Sequence, residues 1–283
     1  MRFDLEHFGS ISSKSAVPIA STMMTTVQNQ LPCPPKFDLF GIGISRIDYH
    51  EATDLLIKAA QERRSIIVDH MPVHGLIEAS SNPFLKTKIN QFDIVAPDGQ
   101  PVRWALNRLH QTNLSDRVYG PELMLRLCRQ AEQKGIGVYL YGSRSDVLER
   151  LKHNLLHQFP ALRIVGAEAP PFRPLTPEED QATVARINQS GAGFIFLGLG
   201  CPKQEHFAFD HRENIQGVQL CVGAAFDFHA GTKKMAPQWM QRNGLEWLFR
   251  LLTEPGRLWK RYFLTNSIFL IKYFQKSLNF KNA

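Results

Sequence analysis

Cysteine is scarce in this chain and is not arranged for metal or disulfide chemistry. The four residues (Cys33, Cys128, Cys201, Cys221) are widely spaced, with no Cys-x-x-Cys. That pattern argues against structural zinc and suits a reducing compartment. Apolar runs of spanning length are missing as well. Ten residues separate Arg261 from Lys272, among them Thr265, Asn266 and Ser267, whereas a span needs roughly 20 mostly apolar residues. The N-terminus carries no targeting pattern. Asp4 and Glu6 offset Arg2, and the stretch from Ile19 to Leu31 is rich in Ser, Thr, Gln and Asn. Residues 1–36, closing with Pro32, Pro34 and Pro35, read as a mobile leader. Gly-x-Gly-x-x-Gly, a Walker lysine motif and Asp-x-Asp are all absent. Their absence argues against nicotinamide dehydrogenases, P-loop enzymes and an Asp-x-Asp metal site.

Acidic residues are also rare in one region, and that region is informative. From Lys233 to Ala283 only Glu246 and Glu254 oppose ten lysines and arginines, a surplus of eight. The whole chain is +7, so residues 1–232 carry −1. Three of the four tryptophans (Trp239, Trp247, Trp259) lie in the same tail. Leu258, Tyr262, Phe269 and Tyr273, flanked by Trp259, Phe263, Leu270 and Phe274, recur at helical spacing and predict one broad apolar stripe. Basic heads beside amphipathic rings suit an anionic membrane surface. Packing on the chain's own domain or on a twin subunit, as in a homo-oligomer, would use the same stripe. Nucleic acid is disfavoured, because single-strand binders display their aromatics on a sheet face within a basic groove.

Between leader and tail the pattern alternates. Buried-strand runs are predicted at 40–44, 65–68, 94–96, 137–141, 162–165, 194–197 and 218–222. Amphipathic helices are predicted over 49–62, 122–134, 146–158, 177–189 and 202–211. The expectation is an α/β, Rossmann-like, mostly parallel sheet with helices on both faces over residues 37–232, plus a basic helical appendage over 233–283. Ligands of such sheets bind where strands end at their carboxyl edge.

Three strand-ending loops carry candidate residues. Asp98 is pinned between Pro97 and Gly99 after a strand, which points it into the crevice, although Asp before Gly is also ordinary turn chemistry. Gly142 and Ser143 lead into a helix that Ser145 or Asp146 can cap, and free N–H groups there attract an anion. In Gly198-Leu-Gly200-Cys-Pro202-Lys203-Gln204-Glu205, Pro202 suits the first helical position. Lys203 in the first turn is disfavoured by the helix dipole unless a bound diphosphate reverses the sign; pairing with Glu205 is the alternative. Asp227, between Phe226 and Phe228, reads as partly buried and partnered, while His229 reads as structurally satisfied.

Asp98-Gly99, Gly120-Pro-Glu-Leu123, Tyr141-Gly-Ser143, Gly198 to Glu205, Gly223-Ala-Ala-Phe-Asp-Phe228 and Gly244-Leu-Glu-Trp247 through Glu254-Pro255 occur together in order. In this ordered set the chain resembles the WecG/TagA/CpsF glycosyltransferases over roughly residues 37–265. The resemblance implies transfer of a sugar from a UDP-sugar to a polyprenyl-diphosphate-linked saccharide on the cytoplasmic membrane face, with no cofactor and no metal. It assigns Asp98 as catalytic base, and it places Gln204 and Asp227 at the nucleotide-sugar pocket. The tail arginines, here Arg250, Arg257 and Arg261 with Lys260, would face a diphosphate and the membrane. Two positions depart from the family pattern. Where members often have Thr-x-Asn, this chain reads Asp69-His70-Met71-Pro72, and the usual Arg-Ala-Pro is Met235-Ala236-Pro237. N-acetylmannosamine, its uronic acid and glucose all remain open as donor sugars. The expected chemistry is a single displacement that inverts the anomeric centre. A non-catalytic membrane-bound sensor of nucleotide-sugars is the contrasting class.

Overall fold

A computed structural model describes residues 33–281. Most of the leader read over residues 1–36 therefore lies outside the described residues. The chain enters through a hairpin, β1 (Lys36–Leu39) and β2 (Ile42–Ser45), paired antiparallel from Lys36↔Ser45 to Leu39↔Ile42. The sequence pattern predicts a single strand over 40–44. Phe40 and Gly41 instead form a two-residue turn, both at positive φ (60° and 85°), the backbone that tight hairpins require and glycine adopts without strain.

Six parallel strands form the main sheet: β3 (Ile66–Met71), β4 (Ile94–Pro97), β5 (Val138–Gly142), β6 (Ile164–Glu168), β7 (Phe194–Gly198) and β8 (Val218–Cys221). Their spatial order is β4-β3-β8-β7-β5-β6. Each matches a predicted apolar run to within about three residues. Strands β3, β4, β5 and β8 are buried at every position, as expected for a parallel sheet covered on both faces. The β6 edge is half-buried throughout. The β4 edge is shielded by the hairpin, where Ser45 Oγ accepts from the Val95 N–H at 3.0 Å.

The predicted helices are α1 (Tyr49–Gln61), α5 (Gly120–Lys134), α6 (Ser145–Gln158), α7 (Pro177–Gln189) and α8 (Lys203–Asp210). Reciprocal capping boxes start α1 (Asp48 and Glu51) and α7 (Thr176 and Glu179). Three further helices were not anticipated: α2 (Val73–Ser81), α3 (Pro83–Asn90) and α4 (Gln100–His110). After β8 come α9 (Ala225–His229), α10 (Gln238–Arg242), α11 (Glu246–Thr253) and the long α12 (Pro255–Lys281).

Helix α12 folds back over the hairpin and α2. Phe269 meets Phe40 edge-on at 5.5 Å, Lys272 Nζ donates to Ser80 Oγ at 3.0 Å, and Lys276 Nζ donates to the Asp38 carbonyl at 2.7 Å. The predicted stripe therefore divides along its length. Leu258 and Phe269 are buried with Thr265, whereas Trp259, Phe263, Leu270 and Phe274 are exposed. Among the described residues no helix is long and apolar enough to cross a membrane.

Candidate active site

The sheet places its chemistry between β3 and β8. Strand β3 continues outward to β4, while β8 closes the chain's return from the other side, so a crevice opens where the strand order reverses. Register aligns its contributors: Asp69 lies beside Cys221, and Met71 beside Pro97. A cavity of about 720 Å³ opens at this carboxyl edge. Asp98, Gly99, Gly200, Gln204, Glu205, Arg250, Arg257 and Arg261 all line it. The fold thus gathers eight of the candidate site residues from two of the three loops and the tail.

Asp98 leaves the end of β4. Its backbone N–H donates to the Met71 carbonyl at 3.1 Å, and Gly99 turns the chain into α4 at φ 100°. Glycine is needed there for that φ rather than for space, since a Cβ would meet only Pro101. Burial raises the Asp98 carboxyl to about 7. The Arg117 guanidinium, 3.9 Å away, opposes that rise, while Glu246 adds to it. A carboxylate tuned near neutrality is suited to accept a proton at working pH.

Arg117 is buried and joins Asp98 to the tail. Its Nη2 lies 2.7 Å from Glu246 Oε2 and donates to Gln241 Oε1 at 3.1 Å. Tyr119 Oη donates to Glu246 Oε1 at 2.9 Å, and the guanidinium stands 4.1 Å from the Tyr119 ring. The loop itself is pinned by the Val118 N–H donating to the Pro97 carbonyl and the Tyr119 N–H to Tyr49 Oη, both at 2.9 Å. One buried cation therefore holds the Asp98 loop and α11 together. Arg117 has no signal in the sequence beyond its proximity to Gly120-Pro-Glu-Leu123, while Glu246 is the acid of Gly244-Leu-Glu-Trp247, where nothing marks it as a partner of Arg117.

The arginines form the opposite wall. Arg250 is half-buried, its Nε without a partner among the described residues, and Arg257 and Arg261 are exposed at the cavity mouth. Arg257 is partly neutralised by Glu254, with Nε to Oε2 at 2.8 Å. Burial and the nearby Arg261 and Arg250 lower His74 to about 4, leaving it neutral. Asp98 feels both ends of the cavity, being an electrostatic neighbour of Arg250 and of Asp69.

The remaining candidates fall outside this lining. Gly142 (φ 131°) and Ser143 (φ 62°) close the β5–β7 edge, where a Cβ on Gly142 would come within 2.5 Å of the Gly198 backbone. Helix α6 begins after Arg144 with no side-chain cap, rather than with the Ser145 or Asp146 cap expected, because Asp146 turns to Arg144 in two bonds of 3.0 and 2.9 Å. Pro202 precedes α8 as its N-cap instead of opening it. Lys203 is exposed with no ion pair among the described residues, and Glu205 turns inward away from it. Asp227 pairs with Lys233 at 3.4 Å and accepts from Thr232 Oγ1 at 3.2 Å. Lys260 is exposed beside Trp259. His229 faces the Pro121 carbonyl at 2.9 Å, the satisfied structural role expected of it.

A grouping that spacing along the chain could not disclose lies on the cavity floor. Ligand atoms of Asp69, Glu205 and Cys221 fall within 4.8 Å of one another. Burial, and then Glu205, push Asp69 well above the carboxylate range; burial raises Glu205 too, against the hydrogen bonds that it accepts. Burial also pushes the Cys221 thiol well up, so it is held as a neutral thiol.

A parallel sheet opening at its switch point onto a buried carboxylate and an arginine wall defines a Rossmann-like α/β enzyme fold. The sequence model for the Glycosyl transferase WecG/TagA/CpsF family matches residues 37–283. The chain belongs to that family and is a glycosyltransferase.

Proposed function

We propose that this protein is an inverting transferase that moves a sugar from a UDP-sugar to a polyprenyl-diphosphate-linked saccharide at the inner face of the plasma membrane, in the synthesis of a surface polysaccharide. One observation carries the reading: Asp98 is buried, held near neutrality, and shares a single cavity with Arg250, Arg257 and Arg261. In this mechanism the acceptor hydroxyl oxygen attacks the anomeric carbon while Asp98 takes its proton. The bond from the anomeric carbon to UDP breaks, and UDP leaves with the electron pair. The arginines offset the charge that develops on the departing diphosphate, the electrostatic part of the catalysis.

The outer face of the tail supports the membrane component. Trp259, Phe263, Leu270 and Phe274 are exposed along α12 beside Lys260 and Arg261. Rings at headgroup depth and cations near phosphates are the usual elements of interfacial binding. Release of UDP on adding a lipid-linked acceptor separates this transferase from a sensor, which would bind without turnover. Asp98→Asn keeps the shape and removes proton acceptance. It is expected to lower single-turnover transfer by about 10²–10⁴-fold with UDP affinity nearly intact; turnover within about tenfold of wild type removes Asp98 from the base role.

A further inference from the structure

The cavity floor carries an acidic pair that the mechanism above does not use. Asp69 and Glu205 are 2 % and 3 % exposed, line the cavity, and have no lysine or arginine partner among the described residues. They are hydrogen-bonding neighbours of each other. Two buried carboxyls without a cation hold one proton between them and keep one negative charge. Glu205 is fixed from behind: Gln204 Nε2 donates to its Oε1 at 3.0 Å, and Gln204 Oε1 accepts from the Gly200 N–H at 3.2 Å. The pair is therefore placed by the backbone of the α8 entry and not free to swing out.

A second group lines the same cavity from the other face of the sheet, since neighbours on a strand leave opposite faces and the His70 ring lies against Gly120. His70, 6 % exposed, lines the cavity, and its Nδ1 lies 3.1 Å from the Cys221 carbonyl. A carbonyl only accepts, so Nδ1 carries the hydrogen and Nε2 presents a lone pair. That Nε2 has no partner among the described residues, and neither has Asp69 Oδ1 or Glu205 Oε2 outside their mutual proton. Buried acceptors in this state call for a ligand that brings several hydrogen-bond donors. Sugar hydroxyls are such donors, and a sugar carboxylate is the opposite. The arginines at the mouth already provide for the phosphates, and Asp98 stands between the two ends.

We infer that Asp69, Glu205 and His70 form the floor on which the donor's sugar rests, and that this floor selects an uncharged hexose or N-acetylhexosamine and rejects a uronic acid. The inference rests on the UDP-sugar reading above and narrows it. A carboxylate on the sugar would meet the retained negative charge with no cation to compensate, while the hydroxyls of a neutral ring meet acceptors that lack donors.

Calorimetry on the full chain tests it with UDP and with matched pairs differing only at C6: UDP-glucose with UDP-glucuronate, and UDP-N-acetylmannosamine with its uronate. The neutral member of at least one pair is expected to bind at least about tenfold tighter than its uronate. The double change Asp69→Asn with Glu205→Gln, which leaves no carboxyl on the floor, is expected to narrow that ratio to within about threefold while leaving UDP itself unchanged, since it removes charge from the sugar floor only. Glu205→Gln alone, which removes the member that keeps the charge, provides the same readout should the double variant fail to fold. A uronate bound as tightly as its neutral partner by the wild-type protein overturns the inference and leaves the transferase reading standing. So does a ratio that both variants leave intact, or sugar binding that requires Mn²⁺ or Zn²⁺ and is abolished by chelation. Failure of UDP and of every UDP-sugar to bind overturns the donor reading and this inference together.

Discussion

The two walls of the cavity are built by opposite means. The core wall consists of strand ends and acids: Asp69 on β3, Asp98 just past β4 and Glu205 at the start of α8 border a sheet whose strands β3 and β8 are buried at every position. The tail wall consists of cations on helices whose outer side is apolar and exposed, with Leu252, Phe263 and Phe274 each more than half accessible. The core wall is held by a continuous ladder. The tail wall is held by a few buried side chains, chiefly Leu258 and Phe269, and by the Arg117–Glu246–Tyr119 clasp. On the proposed function, a rigid acid-bearing wall facing a separately attached basic wall would let one element set the chemistry and another bring it to the membrane. Tuning of Asp98 crosses the boundary between them, because Arg117 serves both Asp98 and Glu246.

Breaking the clasp is the strongest way to separate the walls. Arg117 and Glu246 are both largely buried, so Glu246→Ala strands a guanidinium away from water. The expected loss is about 3 kcal/mol, read as a fall in Tm of about 6–12 °C in thermal unfolding. Glu246→Gln keeps the Tyr119 and Arg117 contacts in part and should lose distinctly less. Equal Tm values for wild type and Glu246→Ala would mean the tail docks without the clasp.

Charge reversal at Arg257, Lys260 and Arg261 tests the rim of the same wall, where two cavity-lining arginines and Lys260 are exposed. Attraction near an anionic surface is about 1 kcal/mol per basic residue and is screened by salt. Co-sedimentation with phosphatidylglycerol vesicles should therefore fall by at least about 100-fold in the variant. Undiminished, salt-independent binding would show that this face is not the docking surface.

The smallest effect is expected on the core side, outside the lining. Lys203→Ala should change UDP affinity by less than about threefold, because an exposed lysine outside the cavity contributes only tenths of a kcal/mol. A loss of tenfold or more that spares uridine would restore Lys203 to the diphosphate, as its place in the first turn of α8 suggests.

The parallel sheet was legible because its strands are continuous apolar runs with loops of distinct chemistry after them. The hairpin was not, since the turn at Phe40-Gly41 sits inside one short apolar run and splits it. Helices α2 and α3 were obscured by Pro83, which opens α3 behind an Asn82 cap whose Oδ1 accepts from the Phe84 and Leu85 N–H groups at 3.0 and 3.2 Å. Asp98 could be found because Pro97 and Gly99 mark a strand end. The Asp69–Glu205 pair and the Arg117–Glu246 clasp could not, because each joins residues far apart in the chain that only the topology brings together. Gly142 and Ser143 show the converse, a glycine turn with the composition of a binding loop whose φ values serve close packing of two strands.

The pH dependence of single-turnover transfer tests the central claim most directly, since it reads the base while both walls act on it. Burial raises Asp98 to about 7, so the carboxylate is lost as pH falls through that value. The wild-type rate should rise about tenfold per unit below pH 7 and level off above it. In Glu246→Gln a neighbouring negative charge that raises Asp98 is gone, so the rise should move to lower pH. A profile that is flat between pH 5.5 and 8.5, or one that Glu246→Gln leaves in place, would contradict a core base tuned through the tail.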